Sequence, residues 1–140
     1  MNLCMIGTGY VGLVSGTCFS DLGNKVYCVD KDLKKINKLN LGIPTIFEPG
    51  LDEILKKNQD SGRLIFTNNI KLAVNNSQII FICVGTPNKK NSHSVNLKYV
   101  YSAVKEIANC TNKKKIIVTK STVPIGTGDE LEKILKKMKR

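Results

Sequence analysis

Short apolar runs alternate with amphipathic stretches along the whole chain. The apolar runs predict five strands, at residues 3–6, 25–29, 64–67, 79–84 and 116–119. The fourth run, IIFICV, is continuous, which is typical of a strand buried on both faces. Because helical patterns separate the strands, we expect parallel pairing through right-handed crossovers. The pattern therefore predicts an α/β fold with a Rossmann-like doubly wound parallel sheet.

The helices are predicted from apolar residues at helical spacing and from the breakers that follow them. One helix follows the first strand, one covers 33–41 before Gly42, and one begins at Leu51 and ends near Gly62. A short helix at 70–74, one around Val100 and a final one around Leu131 complete the set. Segment 88–96 is predicted to be a polar loop without periodicity, and 121–126 a turn. The lysine-rich end at 136–140 is not followed by a sixth strand, so we expect a sheet truncated at its carboxyl-terminal edge, in an amino-terminal part of a longer protein or a truncated gene product.

Three glycines follow the first strand in the spacing Gly7-x-Gly9-x-x-Gly12. Gly7 would allow a tight turn, Gly9 would let a diphosphate approach the backbone, and Gly12 would let the next helix pack closely on the sheet. The amide groups at the start of that helix would then face an anion. These residues predict a dinucleotide-binding loop.

Asp30 ends the second predicted strand, where a carboxylate can accept hydrogen bonds from the hydroxyls of an adenosine ribose. A carboxylate at this position would repel a 2′-phosphate, so NAD is favoured over NADP. Lys31, Lys34 and Lys35 weaken this preference, because their charges could partly neutralise such a phosphate.

The carboxyl ends of the strands are where a doubly wound sheet binds its ligand. The cleft is therefore predicted to be lined by residues 7–12, Asp30, 85–87 and 121–124. Thr86 and Thr122 would each present a hydroxyl close to the nicotinamide ribose. Turn and helix-cap chemistry is the alternative explanation for both threonines.

The net charge of +11 comes from 22 Lys and Arg against 11 Asp and Glu. Only two of the basic residues are arginines, and the lysines are spread over helices and loops instead of being interleaved with aromatics. Nucleic acid is therefore not a predicted partner. Solvated surface charge, or general attraction to a polyanionic ligand, is the better explanation of the lysines. The chain has no apolar run long enough for a membrane span and no secretory leader, and we expect a single cytoplasmic domain over residues 1–140.

Few residues suggest catalysis or metal binding. The five cysteines are too widely spaced for a metal site, and Cys4, Cys28 and Cys83 read as small buried residues of a reducing compartment. Cys18 falls in the first helix, where we expect it to pack. His93 reads as a solvated loop residue, and Lys120 lacks an evident catalytic partner.

Six segments together resemble the UDP-glucose 6-dehydrogenase family of the UDP-glucose/GDP-mannose dehydrogenases. They are GTGYVGLVSG at 7–16, VDKDLKKINKLNLG at 29–42, FEPGL at 47–51, GRLIFT at 62–67, FICVGTP at 81–87 and KSTVPIGTG at 120–128. They occur in family order over nearly the whole chain, and the first segment is more similar to the UDP-glucose branch.

The resemblance implies a two-step, NAD-dependent oxidation of UDP-glucose to UDP-glucuronate through a cysteine-bound intermediate. It also implies contacts of Tyr10, Val11, Asp30 and Lys35 with NAD, and a position of Thr122 near the reacting centre. The full set of predicted cofactor-binding residues is Gly7, Gly9, Tyr10, Val11, Gly12, Asp30, Lys35, Thr86, Pro87, Ser121 and Thr122. Thr122 is also the one catalytic candidate.

The family's GxCxPKD-type cysteine motif, its long dimer-supporting central helix and its UDP-binding domain have no match in these 140 residues. The resemblance thus implies an NAD-binding part whose partners are NAD and, with the remaining portion, UDP-glucose, in a homodimer for full-length members. One alternative is a stand-alone nucleotide-binding module or gene remnant without catalysis. A β-hydroxyacid-type dehydrogenase shares the strand and glycine layout, but segments 47–51 and 120–128 argue against it.

Overall fold

The computed structural model of the protein describes residues 1–89 and 94–138. The strands in these ranges are β1 (Asn2–Ile6), β2 (Lys25–Val29), β3 (Leu64–Thr67), β4 (Ile79–Ile82) and β5 (Ile116–Thr119). The helices are α1 (Tyr10–Asp21), α2 (Leu33–Asn40), α3 (Leu51–Asp60), α4 (Ile70–Asn76), α5 (Lys98–Cys110) and α6 (Thr127–Met138). The predicted alternation of strands and helices is confirmed.

The strands form one parallel sheet in the order β3-β2-β1-β4-β5. β1 lies in the centre, and its residues pair with β2 on one side and β4 on the other. The chain winds outward first in one direction and then in the other, so the order reverses between β1 and β4. A crevice opens at such a reversal, at the carboxyl ends of the strands. The Rossmann-like fold predicted from the sequence is confirmed.

Two apolar cores lie on opposite faces of the sheet. Leu3 and Met5 of β1 point to the face covered by α1, α2 and α3, whereas Cys4 and Ile6 point to the face covered by α4, α5 and α6. This division follows from the alternation of side chains along a strand. Each fully buried aliphatic side chain contributes about 1.5–3 kcal/mol to folding, so both cores hold the helices on the sheet.

Two predicted boundaries are wrong by two residues. β4 ends at Ile82 instead of residue 84, because the amides of Lys120 and Ser121 both bond to the Ile82 carbonyl and thereby end the regular pairing with β5. One face of β4 is buried, but Ile79 and Phe81 on the other face are only half buried. α4 continues two residues past the predicted end, to Asn76.

The loop after β4 carries more structure than its polar composition predicts. Asn88 and Val95 form an antiparallel bridge, and the Lys89 amide donates to the Ser94 carbonyl over 2.9 Å. Such backbone bonds leave no periodic pattern in the side chains. His93, for which we predicted a solvated position, lies outside the described residues, as do Lys139 and Arg140.

The cysteine predictions hold with one exception. Cys4, Cys28 and Cys83 are buried, as predicted, but Cys18 is exposed on α1 instead of packed. α1 buries a different stripe of small residues, among them Gly12 and Gly16, and Cys18 lies outside that stripe. None of the helices in the described part of the chain has the length and apolar character that a membrane crossing requires.

Candidate dinucleotide site

The turn between β1 and α1 is built around Gly7 and Gly12. Gly7 has a φ of +101°, and a Cβ placed on it would lie 2.7 Å from the carbonyl oxygen of Cys83. A Cβ on Gly12 would lie 1.9 Å from the carbonyl oxygen of Gly7. The predicted reasons for these two glycines, a tight turn and close helix packing, both hold.

The amino terminus of α1 is free of side-chain caps. Gly9 is the N-cap residue, no side chain caps this end, and the first turn contains no acidic residue. The first amides of a helix have no partner inside the helix, and they carry the positive end of its dipole. A Cβ on Gly9 would meet no atom within 4 Å, so the backbone is open to a ligand here. These features suit an anion such as a diphosphate.

Tyr10 and Val11 are exposed at this helix start. The Tyr10 hydroxyl donates a hydrogen bond to the carboxylate of Glu48, in the loop between α2 and α3. The FEPGL segment is thereby placed beside the glycine turn, which joins two of the segments that carry the family resemblance.

The Asp30 carboxylate is held in place by several donors. The Thr8 amide and hydroxyl donate to its Oδ2 atom over 2.9 and 2.7 Å, and the Asp32 amide donates to its Oδ1 atom over 3.0 Å. Lys35 Nζ lies 3.4 Å from Oδ2. Asp30 therefore faces the glycine turn in a fixed orientation.

The same contacts keep Asp30 ionised. Burial by itself would raise the pKa of the carboxyl, but the hydrogen bonds from the Asp32 amide and from Thr8, with the nearby charge of Lys35, outweigh it. The pKa of Asp30 is therefore below its ordinary value, and the group is a pure hydrogen-bond acceptor at neutral pH.

The three lysines near Asp30 have different partners. Lys35 pairs with Asp30, whereas Lys31 pairs with Glu106 of α5. Lys34 is exposed in the first turn of α2, and its backbone amide bonds to the Asp32 side chain that caps this helix. The structure thus separates lysines that the sequence left equivalent.

A cavity of about 530 Å³ opens beside these groups. Its walls contain four of the predicted residues, Gly7, Gly9, Asp30 and Lys35. This volume lies within the range of about 300–1,000 Å³ that is usual for ligand sites. The glycine turn and the Asp30 carboxylate therefore border one cavity.

One wall of the cavity was missed by sequence reasoning. It is formed by α5, through Tyr99, Ser102, Ala103 and Glu106. Their spacing places them on one side of a helix, and this periodicity was the available signal. The periodicity indicates which residues share a face of α5, but only the fold shows that this face borders the cavity.

Four further predicted residues lie in the loops after β4 and β5, outside the cavity lining. Thr86 is half-buried, whereas Pro87 and Thr122 are exposed. The Ser121 hydroxyl contacts the carbonyl oxygens of Ile82 and Val84, at 3.2 and 2.7 Å, so it fastens one loop to the other. The cofactor contacts of these four residues stay predictions.

The cavity has no activated nucleophile among the described residues. Cys83 lines it, but burial raises the pKa of its thiol to about 11, and burial raises the pKa of Cys4 to about 12. Both thiols are protonated at neutral pH, and the thiolate is the reactive form. No group of three or more His, Cys, Asp or Glu side chains in the described ranges is arranged to hold a metal ion. The arrangement is suited to binding a dinucleotide.

The sequence has close relatives among curated proteins. UDP-glucose 6-dehydrogenase of Rhizobium meliloti (strain 1021) is 53% identical over 136 residues, which are 97% of this chain and 31% of that protein. The chain therefore spans about a third of the length of the curated relative that it matches.

Solved structures share both the fold and part of the sequence. GDP-mannose dehydrogenase from Pseudomonas aeruginosa, determined as a ternary complex, superposes with a TM-score of 0.94 at 36% identity, over 99% of this chain and 33% of that one. A UDP-glucose dehydrogenase from Pyrobaculum islandicum gives a TM-score of 0.91 at 34% identity, over 99% and 33% of the two chains.

The family model of the UDP-glucose/GDP-mannose dehydrogenase NAD-binding domain matches residues 1–140. The glycine turn, the uncapped helix terminus and the Asp30 carboxylate all lie within this matched range. The chain belongs to the UDP-glucose/GDP-mannose dehydrogenase family, as its NAD-binding domain.

Proposed function

We propose that the cavity binds NAD with its adenosine ribose on Asp30 and its diphosphate at the amino terminus of α1. The observation that supports this most directly is the Asp30 carboxylate, held by Thr8 and Asp32 beside an uncapped helix start. A 2′-phosphate would meet a fixed negative charge at this position, so NAD is preferred to NADP.

The two oxygens of Asp30 are not equivalent in this proposal. Oδ2 already interacts with the Thr8 amide, the Thr8 hydroxyl and Lys35, whereas Oδ1 receives the Asp32 amide. A carboxylate oxygen has about two lone pairs, so Oδ1 is the freer acceptor for the ribose hydroxyls. The open space at Gly9 lets the diphosphate reach the amides of Tyr10 and Val11.

We place the nicotinamide half towards the loops that contain Thr86, Pro87, Ser121 and Thr122. These loops follow β4 and β5 at the carboxyl edge of the sheet, which is the ligand-binding edge of this fold. NAD supplies a hydride acceptor when bound. The Thr122 hydroxyl, exposed after β5, would donate or accept a hydrogen bond at the reacting alcohol.

We propose that the complete activity is oxidation of UDP-glucose to UDP-glucuronate in two NAD-dependent steps, in a cytoplasmic homodimer. The proposal rests on the names of the relatives, which are UDP-glucose 6-dehydrogenases at 53% and 50% identity. Because the relatives are about three times as long and the family's cysteine motif has no match in these 140 residues, we place the catalytic cysteine in a segment outside them.

Calorimetric titration of the purified chain with NAD, NADP and UDP-glucose tests the binding proposal. We expect saturable NAD binding and much weaker NADP binding. Asp30→Ala should weaken NAD binding by about 1–3 kcal/mol, the range for hydrogen bonds to a charged acceptor. Asp60→Ala is a suitable control, because Asp60 is exposed at the far end of α3.

The absence of NAD binding by a folded sample would contradict the proposal and favour a module or gene remnant without this function. Unchanged affinity of Asp30→Ala would mean that the ribose is held elsewhere. Oxidation of UDP-glucose is tested separately, by mixing the chain with the carboxyl-terminal portion of a relative. NAD reduction by the mixture supports the complete activity, and normal turnover by the chain alone would refute the need for a further segment.

A further inference from the structure

A second carboxylate, that of Glu106, lines the same cavity as Asp30. Glu106 of α5 pairs with Lys31, the residue that directly follows Asp30, and accepts a hydrogen bond from the Ser102 hydroxyl over 3.0 Å. Lys31 and Glu106 both line the same cavity as Asp30 and Lys35. The sequence separates Lys31 from Glu106 by 75 residues, so only the fold brings them together.

The cavity therefore contains two acid–base pairs. Asp30 pairs with Lys35, and Glu106 pairs with Lys31. Each nearby lysine that lines the cavity is thus matched by one carboxylate. The surplus of positive charge in the chain as a whole does not extend to these four groups.

This balance bears on the distinction between the two nicotinamide dinucleotides. NADP differs from NAD by a 2′-phosphate on the adenosine ribose, and sites that accept it supply a cation beside the ribose. Lys31 is adjacent to Asp30 and would be that cation. Its pairing with Glu106 occupies the ammonium group and adds a further negative charge to the site.

We propose that Glu106 is a specificity-determining residue that disfavours NADP by holding Lys31 and by repelling the 2′-phosphate. The inference rests on the proposed binding of the adenosine ribose at Asp30. It adds to that proposal a residue on α5, far from the glycine turn in sequence, and it explains how the two cavity-lining lysines after β2 are compatible with a preference for NAD.

The Lys31–Glu106 ion pair is accessible to solvent, so Glu106 can be substituted without loss of the fold. The Lys31 side chain is 79% exposed and that of Glu106 31%. Exposed ion pairs contribute little to stability, because solvent screens them. Substitution of Glu106 should therefore leave the unfolding midpoint nearly unchanged.

The experiment measures the affinities of the 140-residue chain for NAD and NADP by calorimetry. We expect Glu106→Gln to raise the ratio of NADP affinity to NAD affinity about fivefold to tenfold, which is the effect of one charge interaction at a partly exposed site. Adding Lys31→Gln to Glu106→Gln should remove most of the gain, because the released ammonium group is then absent. Glu132→Gln is the matched control, since Glu132 also pairs with a lysine, Lys136, but lies outside the cavity.

The outcomes separate this inference from the binding proposal. Unchanged NADP affinity in Glu106→Gln, with normal NAD binding, would overturn the role of Glu106 and leave the NAD site intact. An equal gain in Glu132→Gln would also overturn it, because the effect would then reflect net charge. If the unaltered chain bound no NAD, both proposals would fail together.

Discussion

Thr8 is the single residue on which the orientation of Asp30 most depends. It lies between Gly7 and Gly9, is fully buried, and directs both its amide and its hydroxyl to one oxygen of the carboxylate. The glycine spacing predicts the turn but treats the residue between the glycines as variable. The chemistry of Thr8 becomes visible only when β1 and β2 are placed side by side.

Replacement of Thr8 by Val should make stability less dependent on pH in the acid range. The pKa of Asp30 lies below its ordinary value of 3.8, so its ionised form stabilises the fold above that pH, and this contribution is lost as pH falls through the folded pKa. Thr8→Val removes the hydroxyl donor and should reduce the free energy of unfolding at pH 7 by about 1–3 kcal/mol, with a smaller loss near pH 3. Urea unfolding over this pH range is the measurement.

Thr8→Ser is the control for that series, because it retains the hydroxyl and removes one methyl group. It should follow the pH profile of the unaltered chain. If Thr8→Val and Thr8→Ser gave the same profile, the hydroxyl would have no part in the ionisation of Asp30.

At the scale of elements, α1 connects the ligand site to the sheet through glycine contacts. A Cβ on Gly12 would overlap the Gly7 carbonyl, and one on Gly16 would lie 2.6 Å from the Sγ atom of Cys28. α1 therefore packs so close to the turn and to the sheet that only glycine, which has no Cβ atom, fits at these two positions. The N-cap residue of this helix, Gly9, borders the cavity.

Three glycine-to-alanine substitutions should have three different results. Gly12→Ala should lower the free energy of unfolding by about 3 kcal/mol or more, because the helix must move away from the turn. Gly9→Ala should retain stability but bind NAD more weakly, since its Cβ meets no protein atom and would occupy the diphosphate approach. Gly128→Ala, in α6 with free space around it, should be neutral or stabilising by up to about 1 kcal/mol.

Thermal unfolding and NAD titration on the three variants distinguish these effects. Normal stability of Gly12→Ala would show that α1 does not need its close packing. NAD affinity equal to that of the unaltered chain in Gly9→Ala would place the diphosphate away from this turn.

The elements themselves were largely predictable, and three of the misses have a common cause. Side-chain periodicity is a local property of the sequence, and it predicted all five strands of the described residues. The end of β4 and the Asn88–Val95 bridge depend on backbone hydrogen bonds to distant residues, which leave no local pattern. The α5 wall of the site was missed because its position depends on strand order.

At the scale of the molecule, β3 and β5 are the two edge strands of the sheet in the described part of the chain. β5 pairs with β4 on one side, and no strand among the described residues pairs with its other side. Ile116 is 59% exposed on this strand. Lys113, Lys114 and Lys120 flank it, and such edge lysines oppose pairing between copies.

The chain should therefore associate weakly, and more strongly at high salt. Salt screens the repulsion of a chain with a net charge of +11, while the apolar edge remains. Sedimentation velocity at low and high ionic strength measures this, and Ile116→Lys should reduce the association. Ile125→Lys is the control, because Ile125 is fully exposed but lies in the loop between β5 and α6 and not in a strand. An equal effect of both substitutions would point to net charge in place of the strand edge.

The buried cysteines have a practical consequence for following motion in this protein. Cys4 and Cys28 lie on the neighbouring strands β1 and β2 and Cys83 directly follows β4, whereas Cys18 is accessible on α1. An alkylating reagent would modify Cys18 first and the half-buried Cys110 more slowly, and it would reach the fully buried Cys4 and Cys28 only when the sheet opens. The rate at which Cys4 and Cys28 are modified, followed by mass spectrometry, measures how often the central sheet opens. A lower rate in the presence of a dinucleotide would report ligand binding without any added label.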